Sequence, residues 1–371
     1  MEGFVLCIFK VLTAEPMKPI QPTLVFIVAA FFVACNQAPV GYSRFDNLTI
    51  EINDLPSPAK SSIRGISVVD SNTVWLTGAN ETILRTIDQG KTWQQLSIPD
   101  HDSLDFRSVH AFSKSSAIVV SAGFPARAYK TNDGGVSWSL VYENKDSLAF
   151  MNSIAFKNDL EGIIIGDQIN DRHLILRTGN AGVTWKRIDS VDVPQPLKIE
   201  NGFAASGSCI AVSKSGRFFI GLGGEQARIF SSINGYKWEA KITPLVHGAP
   251  SSGIYSIHAC GFGKIMAVGG DYTQVDSSHF PIISMNDGKS WIKTKGKTGG
   301  YRSIINYSKE GKFWVTGGTN GLEMSSDDGA NWTTFSFQNI NTLRFLPQTT
   351  KAIGANSNGE IFLLDFQFKN R

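Results

Sequence analysis

The sequence is poor in the features that mark many functional classes. Its 35 Lys and Arg stand against 32 Asp and Glu, a formal charge of +3 over 371 residues. The basic residues are scattered, so the patch with which proteins grip a phosphate backbone is missing and nucleic acid is not an expected partner. Cysteine is scarce at four residues, none in a CxxC pair, which removes thioredoxin-like and zinc-ribbon readings. The six His (His101, His110, His173, His247, His258, His279) show neither HxH nor HExxH spacing, and GxSxG does not occur. Neither a metal nor a serine nucleophile is therefore expected. GLGG at 221–224 is the nearest approach to a dinucleotide fingerprint, but it ends a strand-like run with no helix pattern after it, so no cofactor is expected. Beyond residue 35 no apolar period of 3.6 is found, which argues against a helical fold. With 42% apolar and 18% charged residues, the chain is not of disordered type either.

Long apolar runs are missing too, with one exception. Residues 24–34 are eleven consecutive apolar residues, roughly 16 Å as a helix and about half a bilayer core, too short to span one. Lys18 precedes the run, and Phe32, Val33, Ala34 and Cys35 close it. This resembles the signal peptide and lipobox of bacterial lipoproteins, in which small residues precede a Cys that takes up diacylglycerol before cleavage. The resemblance implies a signal peptide at 1–34, with Met17 as a candidate true start, and a lipidated Cys35. A short tether at 35–44 and one folded domain at 45–371 would follow. The expected location is a bacterial cell envelope, with the protein lipid-anchored to a membrane and periplasmic or surface-exposed. Cys209 and Cys260 then remain in the folded part, in adjacent repeats. A disulfide and two separate buried thiols both stay open.

What the sequence does have is repetition. TIDQGKTW (86–93), TNDGGVSW (131–138), TGNAGVTW (178–185), SSINGYKW (231–238), SMNDGKSW (284–291) and SSDDGANW (325–332) place their Trp residues 45, 47, 53, 53 and 41 apart, a period typical of propellers or solenoids. In the first unit IRGISVV (63–69), TVWLTG (73–78), TILRT (82–86) and TWQQLSI (92–98) are four short segments of period-2 alternation. That pattern predicts one four-stranded antiparallel blade per unit. The octapeptide falls between the third and fourth strands. Its third position, Asp88, Asp133, Asn180, Asn286 or Asp327, is suited to accept backbone N–H groups. Its fifth-position Gly permits positive φ. The closing Trp93, Trp138, Trp185, Trp238, Trp291 or Trp332 offers an apolar plate for packing. Unit four has Ile233 where Asp belongs and Asn234 next to it, so its turn must be held differently. Trp75 and Trp314 occupy matching second-strand slots, which leaves no Trp for a sugar-stacking platform; Phe124 and Tyr272 substitute only partly.

Residues 342–367 supply three more strand-like segments and stop without a Trp, and FDNLTIEI (45–52) is the candidate for the missing fourth. The expected fold is all-β: a seven-bladed propeller of four-stranded antiparallel blades, closed by an N-terminal strand joining three C-terminal strands, with six blades as the fallback. Such closure leaves no free sheet edge. The octapeptides resemble the Asp-box, or BNR, repeats of sialidases and related propellers. Units such as SIRGISVVDSNTVWLTGANETILRTIDQGKTW resemble the repeats of the photosystem II assembly and stability factor family. GIIIGDQ (162–168), NGFAASGSC (201–209), AVGGDY (267–272) and GYRS (300–303) are more similar to its bacterial relatives outside photosynthesis, which are often named oxidoreductases. The resemblance covers residues 45–367 and implies an exported helper that binds another protein. No residue pattern supports the redox name.

In a propeller the start of each inner strand and the loop after each second strand meet on one face around the axis, where residues from several blades converge. Those slots hold Arg64, Arg107 and Arg302 at inner-strand starts and Asp167, Glu225 and Asp271 after second strands, with Tyr272 and Tyr301 beside them. Three readings are open. The charges pair between blades and tie the ring, or they bind a partner or ligand, or they form a sialidase-like site with arginines on a substrate carboxylate and a Tyr/Glu pair. The Arg-Ile-Pro sequence of sialidases is missing. The expected function is thus a monomeric, lipid-anchored propeller that binds a partner protein of the envelope, with no catalytic residue assigned. A glycoside hydrolase or glycan-binding propeller is the alternative.

Overall fold

The computed structural model describes residues 45–99 and 104–369. Seven four-stranded antiparallel sheets form the blades of a propeller. Six use consecutive strands, at 63–96, 105–144, 151–187, 210–242, 252–293 and 304–336 (blades 1 to 6). In blade 7 the order is Leu48–Leu55, Ile361–Phe368, Lys351–Ala355, Thr342–Phe345, so the N-terminal strand closes the ring from outside. Its register is unbroken from Leu48 opposite Phe368 to Leu55 opposite Ile361. The strand starts three residues later than the alternation predicts, because Phe45, Asp46 and Asn47 form a turn.

Burial explains the composition of the strands. Val74–Gly78 and Ala117–Ala122 are buried along their whole length, because a second strand lies between two neighbouring blades and has no solvent face. The core is accordingly a series of wedges between blades. In one, Trp75, Ile83 and Leu96 of blade 1 meet Phe106, Val109 and Tyr129 of blade 2. In the next, Ile118 and Val120 of blade 2 meet Ile154 and Ile164 of blade 3. Each fully buried aliphatic side chain there contributes about 1.5–3 kcal/mol.

The octapeptides are turns held by their own side chains. The Thr86 hydroxyl accepts the Gly90 N–H at 2.9 Å and donates to Asp88 Oδ1 at 2.7 Å. Asp88 in turn accepts the Thr92 N–H at 2.9 Å and the Thr92 hydroxyl at 2.6 Å. Bonds from Thr92 and Ser137 hold the carboxyls of Asp88 and Asp133 down at about 2. Asn180, Asn286 and Asp327 repeat the pattern. Unit four differs by one residue. Ser232 accepts the Gly235 N–H at 2.9 Å, and Asn234 accepts those of Tyr236 and Lys237 at 2.8 and 3.1 Å.

The turn glycine has a second reason to be glycine. Beyond its positive φ, a Cβ at Gly135 would lie 2.5 Å from Leu96, at Gly182 2.1 Å from Ile118, and at Gly288 2.2 Å from Phe219. Each of these neighbours belongs to the preceding blade, so every such turn docks on the blade before it. For Gly90 the neighbour is Leu55, at 2.6 Å, so the closing strand completes the first seat. Cations add ties in the same direction: Lys130 donates to the Ala181 carbonyl at 2.7 Å and Lys264 to Asp328 at 2.6 Å. Trp75 meets Trp138 of the next blade edge-on at 6.4 Å. Cys209 and Cys260 are free thiols, and burial pushes them up to about 12 and about 11.

Candidate functional site

The propeller axis is plugged. Between Glu200 and the first strand of blade 4 (Ile210–Val212) the chain crosses it, and residues 203–208 reach all six other blades. The Ala205 carbonyl accepts Arg64 Nη1 of blade 1 at 3.3 Å. Gly207 leaves room for a Cβ only 3.0 Å from the Arg107 carbonyl of blade 2, and its own carbonyl accepts the Ser153 hydroxyl of blade 3 at 2.7 Å. Ser208 pairs with Ser256 of blade 5 at 2.7 Å. Ser206 donates to the Ser303 carbonyl beside blade 6 at 2.7 Å, and its carbonyl accepts Thr342 of blade 7 at 3.4 Å. Only small residues fit where seven inner strands converge. Gly207 also needs its φ of 63°.

On the face where inner strands begin, the plug floors a cavity of about 490 Å³. Phe203 stacks on Tyr255 at 3.8 Å and 14°, and Tyr301 meets Tyr255 edge-on at 4.7 Å. Phe203 sits over two glycines of adjacent blades: Cβ atoms at Gly223 and Gly253 would come within 2.6 and 3.0 Å of its ring. Arg64 and Arg107 stand in the same wall. Burial lowers the Arg64 pKa, the Arg107 charge lowers it further, and Asp105 opposes both. Arg107 is paired with Asp105 at 2.7 Å and lies 5.7 Å from the Phe150 ring. Among the described residues no carboxylate lines this cavity. Asn152 Oδ1 and Asn339 Oδ1, both of lining residues, have no hydrogen-bond partner in the protein.

Four of the eight residues expected on this face line the cavity: Arg64, Arg107, Tyr272 and Tyr301. Tyr272 is 55% exposed, whereas burial pushes the Tyr301 hydroxyl up, against the pull of Arg64. Arg302 turns the other way and is 2% exposed. It donates to Glu323 at 2.8 Å and to Asn320 Oδ1 at 2.5 Å. Asp167 lies behind the wall and accepts Asn152 Nδ2 at 2.8 Å. Burial raises its carboxyl to about 6, although bonds from Asn152 and the Gly202 N–H oppose this. Asp271 caps its own turn by accepting the N–H and hydroxyl of Thr273 at 2.9 and 2.6 Å. Glu225 is exposed and outside the lining. The ion pairs Arg107–Asp105 and Arg302–Glu323 both form within a blade.

The repeat pattern does not reveal Phe150, Phe203, Tyr255 or the plug itself. The available signal is NGFAASGSC, a run of small residues in one of the two longest spacings. Its approach is fixed by Glu200, fully buried, which accepts Arg228 Nε of blade 4 at 2.5 Å and approaches His173 Nε2 of blade 3 at 3.1 Å.

Comparison with known proteins agrees with this architecture. The sequence model of the family described as photosynthesis system II assembly factor YCF48 matches residues 46–346. The photosystem II stability/assembly factor HCF136, chloroplastic, of Arabidopsis thaliana is 26% identical over 167 residues, 39% of this chain and 40% of that protein. Its counterpart in Oryza sativa subsp. japonica is 23% identical over 290 residues, 70% of this chain and 66% of that protein. The chain thus spans less than two thirds of either plant protein. A solved structure of YCF48 bound to D1 peptide shares 18% identity at a TM-score of 0.59, covering 85% of this chain and 96% of that one. YCF48 from Cyanidioschyzon merolae shares 16% at 0.60, covering 85% and 98%.

Proposed function

This chain belongs to the photosynthesis system II assembly factor YCF48 family, and from that premise we propose that it is a protein-binding assembly helper whose plugged axial cavity takes an extended segment of its partner. The observation that carries the reading is the cavity lined by Arg64 and Arg107 without a carboxylate of its own. A partner's acidic side chain or chain terminus would pair with Arg64, which forms no ion pair among the described residues. The aromatic group of Phe203, Tyr255 and Tyr301 provides flat apolar contact for such a segment. A glycosidase needs a carboxyl pair or a Tyr with its activating Glu in the cavity, and the lining offers neither, so no observation favours that alternative.

Affinity capture from solubilised membranes tests the reading. A specific partner should be recovered with the parent protein and lost with Arg64→Ala/Arg107→Ala, a variant checked to keep the parent's far-ultraviolet circular dichroism and cooperative unfolding. A partner retained by the double variant would move the site elsewhere. No partner under several growth conditions would end the reading. Arg302 is unsuitable for this test because Glu323 depends on it.

The lipid anchor at Cys35, the signal peptide before it, the envelope location and the monomeric state are part of the same proposal, supported by residues 18–35, which lie outside the described residues. Cys35→Ala should move the protein from the membrane fraction to the soluble fraction and abolish incorporation of labelled fatty acid. Unchanged membrane partition would remove the anchor.

A further inference from the structure

A second cavity, of about 530 Å³, opens at the other end of the axis, on the face that carries the octapeptide turns. All seven inner strands contribute to its wall and Gly207 of the plug closes its inner end, so it is a cup. Ile66, Ile154, Phe156, Val212, Phe345 and Leu346 supply the apolar part of its wall.

Into this wall the inner strand of blade 7 sets Arg344. Among the described residues its one hydrogen bond runs from Nη1 to the adjacent Leu343 carbonyl at 3.2 Å, and it forms no ion pair. Burial alone brings it down to about 10. Other arginines that are buried or lowered by burial are provided for. Arg228 has Glu200 and Arg302 has Glu323; Arg64 and Arg187, also lowered by burial, each feel an acid, Asp105 and Asp146. Among the described residues no acid shifts Arg344. Glu310 and Lys309 stand exposed at the rim. A half-buried guanidinium without a counter-ion carries a desolvation cost, and four of its five N–H donors remain for a ligand.

The neighbouring histidines are neutral. Phe345 N–H donates to Asn306 Oδ1 at 3.3 Å, which turns the Asn306 amide nitrogen toward His258 Nδ1 at 3.2 Å. The His258 hydrogen is thereby placed on Nε2. Burial first, then the charges of Arg344 and Lys309, hold His258 down at about 3. Burial likewise lowers His110, stacked on Phe156 at 4.6 Å, to about 4. The cup therefore offers the Arg344 cation inside, Lys309 at its rim and neutral imidazole rings beside a partly apolar wall.

We propose that this cup binds a small monocarboxylic acid, its carboxylate paired with Arg344 and its apolar body against the inner-strand side chains. A planar carboxylate matches the guanidinium fork. A second charge on the ligand would be desolvated against the wall, so dicarboxylates are disfavoured.

The test is calorimetric titration of the full chain with hexanoate and 4-phenylbutyrate, with their amides and succinate for comparison. Both acids should bind, the amides and succinate should be about tenfold or more weaker, and Arg344→Met should lose the acids while Arg107→Met keeps them. Thermal unfolding without ligand is the second measurement. Arg344→Met should leave the midpoint unchanged or raise it, because no partner is orphaned, whereas Arg302→Met should lower it. Acids and amides binding alike, acid binding retained by Arg344→Met or lost with Arg107→Met, no heat with either acid at millimolar concentration, or a lowered midpoint in Arg344→Met would each overturn the proposal.

Discussion

Asp167 pays for its position behind the cavity wall. Its pKa in the folded protein, about 6, stands above the ordinary 3.8. The stability that its protonated form contributes is fully present below pH ~4 and is lost as pH rises through 6. Asp167→Asn should therefore be more stable than the parent at pH 7, by on the order of 2 kcal/mol, with the difference vanishing below pH ~4. Urea unfolding at both pH values checks this. Arg302 behaves oppositely: Arg302→Ala strands the buried Glu323 and should cost about 3–5 kcal/mol. At this scale the sequence could be read only halfway. The slot of Arg302, beside Tyr301 at the start of an inner strand, is visible in the repeat. The direction of its side chain is not, because that depends on Glu323 two strands away in the same blade.

The octapeptide turn and the plug show what periodicity can and cannot reveal at the level of elements. Third-position Asp, fifth-position Gly and closing Trp recur with a local chemistry that sequence alone specifies, and even the departure at Ile233 announces that Asn234 takes over. That the glycine also faces the previous blade follows from the assembled ring and leaves no local trace. The plug is the opposite case. Its residues break the repeat, and their contacts run to six other blades, so no window of sequence contains them. Gly207→Ala forces a side chain onto a φ of 63° and against the Arg107 carbonyl. It should cost about 1–2 kcal/mol and shift the near-ultraviolet signal of Phe203 and Tyr255, measurable by circular dichroism.

For the whole molecule, ring size was readable from counting. Six Trp-ended turns, three C-terminal strands without one and a lone N-terminal strand leave one arrangement that hides every sheet edge, and the seventh sheet adopts it. Removing residues 45–56 should expose the edge of Ile361–Phe368 and unseat the first turn from Leu55. The expected result is loss of the single cooperative thermal transition and concentration-dependent association, seen by calorimetry and light scattering. Closure by these two strands also has a consequence in time. Leu48–Leu55 leaves the ribosome before any blade, yet its sheet partner, Ile361–Phe368, is made only after the six other blades. While the six other blades are made an early strand waits with unpaired backbone groups, and the contact that ends the wait spans all of them. Refolding of this propeller should accordingly be slow and vulnerable to neighbours, with yield set by how long one eight-residue strand stays unclaimed.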